Sequence, residues 1–386
     1  MRAGHFTPPL SILMLGMAFA GCDASDAATG DRQRTAARDT VAGVEVVRNP
    51  ADPLLPDTVA VFRRDWSREP ADSDWEAPTH VAIAHGRVHV LDRMASRVDV
   101  LDAADGRLVR SIGEPGPGPG ELERPYGLAV RAGEVVVGDG GKASIERFDT
   151  LGTWLGSIPI NAPVFSFRPL GRDRYLASAL MEGQGGWAII DSAGALEPIE
   201  WPAPTPTLPE LGDRCQRIDA VDTLIVRLSC RRPAFQLVDA GGTLAGEVTV
   251  DGEAQPVDEG ELQAYLDEVR STMRRDGIPA ATVDRLVTAE RARMSQNPRM
   301  RAARADPATG RIAVWEQKPD DLGGGPATLH LFSSDGAYLA RVDFDRPWVD
   351  FDWRDGRLYA LEQDPATDLR GLVAYEATEA LRASPR

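Results

Sequence analysis

The sequence predicts an all-β chain folded as a six-bladed β-propeller, and three observations carry that prediction. The segment Pro78–Asp92, PTHVAIAHGRVHVLD, recurs 47 residues later as Pro125–Asp139, PYGLAVRAGEVVVGD, apolar on apolar and Gly86 on Gly133. A period in the forties made of short β-type runs belongs to a toroidal or solenoid array, because one such unit cannot bury its own faces. A second signal runs on where the repeat fades: an apolar strand, then Asp or Ser, then Gly three residues later, then another strand. It occurs at Asp149…Gly152, Asp191…Gly194, Asp239…Gly242 and Ser333…Gly336, with Asp102…Gly106 one residue longer. Third, the last unit runs out of chain after three strands, as in a ring whose missing strand comes from the other end.

In chain order, the first element is a leader. Arg2, an apolar run from Leu10 to Ala20 and Gly21-Cys22 follow one another, a run too short to span a bilayer but laid out like a secretory signal. Two cuts are open: after Ala20, or before Cys22, where Phe19-Ala-Gly-Cys22 resembles a lipobox with Phe in the usual Leu position. Cysteine parity favours the second, since a lipid on Cys22 leaves Cys215 and Cys230 as a pair in a chain expected to be exported. Residues 1–21 are therefore expected to be a signal peptide. Residues 22–42, polar and aperiodic, read as a lipidated flexible tether with a span of roughly 25 Å.

The propeller is expected over 43–380. Its first blade reads as Val81–Ala84, Arg87–Leu91, Arg97–Leu101 and Arg107–Ile112, with a His85-Gly86 turn between the first two strands. The second runs on the same plan from Gly127 to Ile158. In the later units the Asp or Ser can accept backbone N–H groups two residues on, while Gly takes the positive φ that closes the hairpin. The sixth unit holds Phe351, an Asp355-Gly356 turn, Arg357–Leu361 and Leu372–Tyr375. The β-rich Val44–Val47 is expected to supply its fourth strand and close the ring.

Gly113-Glu-Pro-Gly-Pro-Gly-Pro-Gly-Glu-Leu-Glu-Arg-Pro-Tyr-Gly-Leu-Ala-Val130, followed by Val135–Asp139 and Ile145–Asp149, resembles an NHL repeat. The whole is similar to bacterial six-bladed NHL-like propeller lipoproteins. The motif is specific over blades one and two and diffuse beyond. The resemblance implies the fold; since that group spans binding scaffolds, lactonases and lyases, it implies no single activity.

Two further elements interrupt the blades. Folding Arg214–Cys230 about Asp222-Thr223 puts Cys215 opposite Cys230 on neighbouring strands, which suits a disulfide; the alternative is two unpaired small apolar residues. Between blades four and five, residues 257–298 read as helical: Asp258 and Glu261 form a capping box before Leu262, Tyr265, Leu266, Val269 and Met273. Asp276-Gly277-Ile278-Pro279 breaks that helix, and Val283, Leu286, Val287 and Met294 mark a second. The pair is expected to act either as a lid over the central funnel or as structural cover on the disc.

Charge excludes some partners. The net charge is −16, one unit more negative once a leader containing Arg2 is removed, and such a surface repels nucleic-acid backbones and anionic lipid heads. Membrane contact is expected through the N-terminal lipid alone, the protein being a monomer of a bacterial cell envelope, periplasmic or surface-exposed. With strands A to D running from axis to rim, the D-A and B-C connections share one face. The long segments Glu114–Arg124, Pro202–Asp213, Lys318–Ala327, Gln363–Arg370 and the helical insertion all fall there, which makes it the expected functional face.

Ligand-face candidates are Asp92, Asp139, Glu316 and Glu362, each ending a strand B, with Arg124, Tyr126 and Trp187, the last read into a long B-C loop of blade three as a contact anchor or, equally, as a blade core residue. The four carboxylates could cradle a hard cation such as Ca²⁺; alternatively each caps its own turn. No cofactor is otherwise expected. Asn49, Asn161 and Asn297 are not placed for a lactonase-type channel site, and His80, His85, His89 and His330 are not placed for a zinc site. No Ser-His-Asp grouping or phosphate loop stands out and no catalytic residue is identified. The expected function is a non-enzymatic scaffold binding a protein or small molecule on the D-A face; the alternative is a metal-dependent lactonase or lyase.

Overall fold

The computed structural model describes residues 35–385 apart from 132, 182–183, 213–215, 230, 253–258, 276–278, 295–299 and 318–324. Its strands form six antiparallel blades. Blade 1 comprises Pro78–Ala84, Arg87–Asp92, Arg97–Asp102 and Leu108–Ile112; blade 2, Pro125–Arg131, Glu134–Asp139, Ser144–Asp149 and Trp154–Pro159. Blade 3 comprises Val164–Leu170, Arg174–Met181, Gln184–Ile190 and Leu196–Pro198; blade 4, Gln216–Val221, Leu224–Ser229, Phe235–Val238 and Leu244–Val250. Blade 5 comprises Met300–Ala305, Ile312–Gln317, Ala327–Phe332 and Tyr338–Asp343, and blade 6 begins with Trp348–Arg354, Arg357–Gln363 and Arg370–Ala377.

Side chains alternate across a strand, so an inner strand lying between two sheets must be apolar on both faces. In Pro78–Ala84, Val81 and Ile83 pack with Tyr359 and Leu372 of blade 6, while Ala82 and Ala84 pack with Leu128 and Val137 of blade 2. The pattern continues around the ring. Blades 2 and 3 share a cluster containing Ile158 and Phe167, and blades 3 and 4 share one containing Leu176 and Ile225. Phe235 and Phe332 join blades 4 and 5, and Trp315 and Phe351 join blades 5 and 6. The 47-residue repeat is exact in register: Pro78 opposes Asp92 and Pro125 opposes Asp139, each with a bulge before the next inner-strand pair.

The recurrent C-D turns form as the chemistry requires. Asp149 Oδ1 accepts the N–H groups of Leu151 and Thr153 at 2.9 and 2.8 Å, and Gly152 has φ +91°. The same geometry recurs at Asp191 and Asp239, and Ser333 Oγ accepts Ala337 N–H at 2.9 Å.

Closure differs from the sequence expectation. The fourth strand of blade 6 is Phe62–Arg68, antiparallel to Arg370–Ala377, and Val44–Asn49 instead adds to blade 4, parallel to Leu244–Val250. The reason is which strand can be polar. A rim strand has one sheet behind it and solvent in front, so FRRDWSR serves with Trp66 turned inward to donate to Ala103 O at 3.2 Å, whereas the buried Val46 and Val47 need a partner surface. Ala37–Val41 pairs with Val44–Asn49, so the end of the segment read as tether is a strand. Asn49 pins this hairpin to blade 5: its amide donates to Thr249 O and Gly336 O at 3.1 and 2.9 Å, and its carbonyl oxygen accepts Tyr338 N–H at 2.7 Å.

The insertion folds as α1, Glu259–Arg275, and α2, Ala280–Met294. Leu262, Leu266, Val269, Val283 and Val287 bury one another, with Met273 alongside. These apolar side chains therefore cover each other, and Leu286 lies on the exposed side. Asp258 of the expected capping box lies outside the described residues.

Candidate functional site

The six inner strands read as apolar runs, but single charged residues interrupt them at Arg168, Asp219, Arg304, Asp350 and Asp352, and the propeller topology brings these together at the axis. Arg304 bonds Asp219 of blade 4 and donates to Asp350 of blade 6 at 2.9 Å, with its guanidinium over the Phe351 ring. Arg168 of blade 3 adds longer pairings to Asp219 and Asp350 at 3.5 and 3.7 Å. The carboxylates also stitch inner strands: Asp350 accepts Val81 N–H at 3.1 Å and Asp352 accepts Ile83 N–H at 2.8 Å. Burial opposes ionisation of Asp350, but Arg304 and Arg168, with the Val81 N–H bond, hold it below the usual carboxylate range. Asp352 has weaker cationic support, and burial pushes it up to about 6. Buried charge of this kind persists only when paired.

A cleft of about 890 Å³ opens on the D-A face, between blades 1, 2 and 3. Its walls come from the inner strands and the connections above them: Thr79 and His80, Arg93 in the blade 1 B-C turn, Arg124 and Tyr126, then the 160–165 connection with Asn161 and Phe165. Phe165 is 59% exposed. Tyr126 packs edge-on against Phe167 with ring centroids 6.1 Å apart, and burial, followed by the Asp139 charge, raises its hydroxyl above the ordinary tyrosine range. His80 is neutral: burial lowers it to about 4, opposed by Asp350 and reinforced by Arg168, Arg304 and Arg93. At the opposite mouth a second cavity of about 340 Å³ is lined by the A-B turns and by Arg168 and Arg304.

Of the residues singled out from sequence, Arg124, Tyr126 and Asp139 line the cleft. The carboxylates do not converge; each is engaged within its own blade. Asp92 accepts the N–H groups of Glu76, Ala77 and Ala95 at 2.7, 2.9 and 3.2 Å. Asp139 accepts those of Glu123, Arg124 and Gly141 at 2.7, 3.0 and 2.8 Å, and that of Lys142 at 3.3 Å. Glu316 meets His330 Nε2 at 2.8 Å, and Glu362 accepts the Tyr375 hydroxyl. Among the described residues no group of three or more His, Cys, Asp or Glu is placed to hold a metal ion.

Trp187 sits on strand C of blade 3 opposite Ser178 and packs into the junction with blade 4; the B-C connection read as a long loop is a paired hairpin, Met181 opposite Gln184. Asn161, set aside above as a lactonase-type channel ligand, lines the cleft. His89 is buried in strand B of blade 1, where burial lowers it to about 4. Cys22, with the leader and lipobox, lies outside the described residues, as do Cys215 and Cys230. Gln216 opposes Ser229 just inside the two expected disulfide positions.

Sequence reasoning missed His80, Arg93 and Phe165 as site residues. The charges interrupting inner strands were the readable signal for the axis; nothing local marks Arg93 or Phe165, which meet only because blades 1 to 3 are neighbours.

Fold and site together define a six-bladed β-propeller with an axial ionic cluster and a cleft on its D-A face. No family model matches the chain, and no curated protein sequence does. Among solved structures it is similar to a candidate exported protein of Bacteroides fragilis, at 11% identity and a TM-score of 0.53, covering 86% of this chain and 100% of that one. It is also similar to a DUF4221 family member from Bacteroides vulgatus, at 10% identity and a TM-score of 0.51, covering 82% and 95%. Identities this low speak for the fold alone.

Proposed function

We propose that this chain is an exported binding scaffold, anchored to the bacterial cell envelope through a lipid on Cys22, which captures its ligand in the D-A face cleft. The observation that carries the reading is the cleft itself. An apolar wall of Tyr126, Phe165 and Val164 stands beside polar groups in a cavity of about 890 Å³, the size and lining of small-molecule sites. Export is supported by the leader-like N-terminus and agrees with the description of the Bacteroides fragilis neighbour. No observation favours the lactonase or lyase alternative, since of the carboxylates it would use Asp92 and Asp139 are held by backbone amides, Glu316 by His330 and Glu362 by Tyr375.

Gly140 provides the test. A Cβ built there lies 3.4 Å from the Tyr126 ring, an ordinary contact, and its φ is not positive, so Gly140→Leu fills the cleft without straining the backbone. Wild-type protein is expected to retain small molecules from a cell-envelope extract, read by mass spectrometry, that Gly140→Leu does not. Equal retention by both would overturn the reading. Cys22→Ser is expected to move the protein from the membrane to the soluble fraction; continued membrane association would refute the anchor.

A further inference from the structure

We infer that the cleft selects a small monoanion, an oxyanion head group carried on an aromatic or similarly flat apolar body; this rests on the cleft being the binding site. The argument is an inventory of donors and acceptors. The guanidinium of Arg93 is exposed and has no carboxylate or other partner among the described residues. Arg124 makes a single long bond, to Gly140 O at 3.4 Å. The Tyr126 hydroxyl and the Asn161 amide have no protein partner among the described residues, and His80 uses only Nδ1, toward Thr79 Oγ1 at 3.0 Å. The one carboxylate in the lining, Asp139, is fully buried and already accepts four backbone N–H groups.

The cleft therefore offers unsatisfied donors and fixed positive charge, and its one carboxylate is occupied. A ligand that matches it must bring acceptors, and an anionic head group matches best, because charge-assisted bonds from arginine are the stronger kind. The body of the ligand is set by the opposite wall, where Phe165 presents more than half its surface to solvent and Tyr126 offers a ring face beside it. Size and charge limit the class further. The chain as a whole carries −16, so a polyanion is repelled at a distance, whereas a small ligand of single charge feels mainly the two arginines.

The test uses three matched probes, phenylacetate, phenyl phosphate and the neutral phenylacetamide, titrated at about pH 5, where the phosphate monoester is mainly a monoanion, into the full soluble chain by ligand-observed NMR, with a melting curve for each variant. Both anions are expected to bind at least about tenfold more tightly than the amide. Arg93→Ala and Arg124→Ala, both at exposed positions, are each expected to weaken the anions by about tenfold and leave the amide unchanged. Tyr126→Phe, which keeps the ring, should weaken the anions alone, by a few-fold. The ratio between carboxylate and phosphate identifies the head group.

Equal affinity for amide and anions, all lost in Gly140→Leu, would overturn the anion inference and leave the cleft reading standing. Anion binding that survives in Gly140→Leu would overturn both. Absence of saturable binding by all three probes would overturn the inference alone, the cleft reading being tested independently by the retained extract molecules.

Discussion

Replacing Arg304 by Met isolates the axial cluster. The substitution keeps an unbranched side chain over Phe351 but removes the guanidinium, leaving Asp219 and Asp350, 5% and 4% exposed, without their closest cation. Breaking a buried ion pair costs about 3–5 kcal/mol. Arg168 remains 3.5 and 3.7 Å from the two carboxylates, so the lower end, about 3 kcal/mol, is expected at neutral pH. With unfolding entropy of about 2.1 cal/mol/K per residue over a chain of this size, that corresponds to a fall in Tm of roughly 4 °C.

The pH dependence gives the sharper test. In the wild type Asp350 is depressed, so its contribution is present above the unfolded carboxylate value and lost as pH falls through the lower folded value. In Arg304→Met burial outweighs the remaining cations, the pKa rises, and protonation relieves the penalty as pH falls. Urea denaturation of both proteins should show a gap that narrows from pH 7 to pH 4. A variant as stable as wild type at neutral pH, or a gap that does not change with pH, would refute the reasoning.

Three other outcomes are expected. Asp352 is raised to about 6, so the folded state takes up its proton first and wild-type stability falls as pH rises from about 4 through 6; Asp352→Asn should remove that slope and gain about 1–2 kcal/mol at pH 7.5 relative to pH 4.5, whereas an unchanged slope would show that another group titrates. Starting the chain at residue 52 removes the Ala37–Asn49 hairpin but keeps the closing strand, and should leave a folded disc of reduced Tm, while starting at residue 70 should give aggregation; equal melting of the two truncations would contradict closure by Phe62–Arg68. Asp139→Ala deprives four backbone N–H groups of their acceptor and should cost about 2–3 kcal/mol, identically with and without added Ca²⁺; a calcium-dependent gap between wild type and variant would place a cation at that carboxylate.

The blades were readable because their signals are local. An Asp or Ser with Gly three residues on specifies a hairpin by itself, and Gly152 and Gly242 take the positive φ that the spacing required. Asp92 and Asp139 were recognisable as turn caps for the same reason. Closure was not, because Val44–Val47 and Phe62–Arg68 compete for a role decided at a distance: β-propensity favours the first, but its valines need a sheet behind them, and the edge of blade 4 supplies it. Trp187 was misplaced because Gly185-Gly186 suggested a loop where the backbone pairs as a strand. The axial arginines and carboxylates interrupt otherwise apolar runs; their meaning lies in four inner strands, of blades 3 to 6, meeting at one axis, which no window of one blade contains.

The location of binding is tested most directly by photoaffinity labelling with 4-benzoylbenzoate, an aromatic carboxylate, followed by peptide mapping. Adducts are expected in the segments bearing Arg93, Tyr126 and 160–165, competed by phenylacetate and lost in Gly140→Leu. Adducts concentrated at the opposite mouth, on the segments bearing Arg131, Pro307 and Arg354, would contradict a functional D-A face.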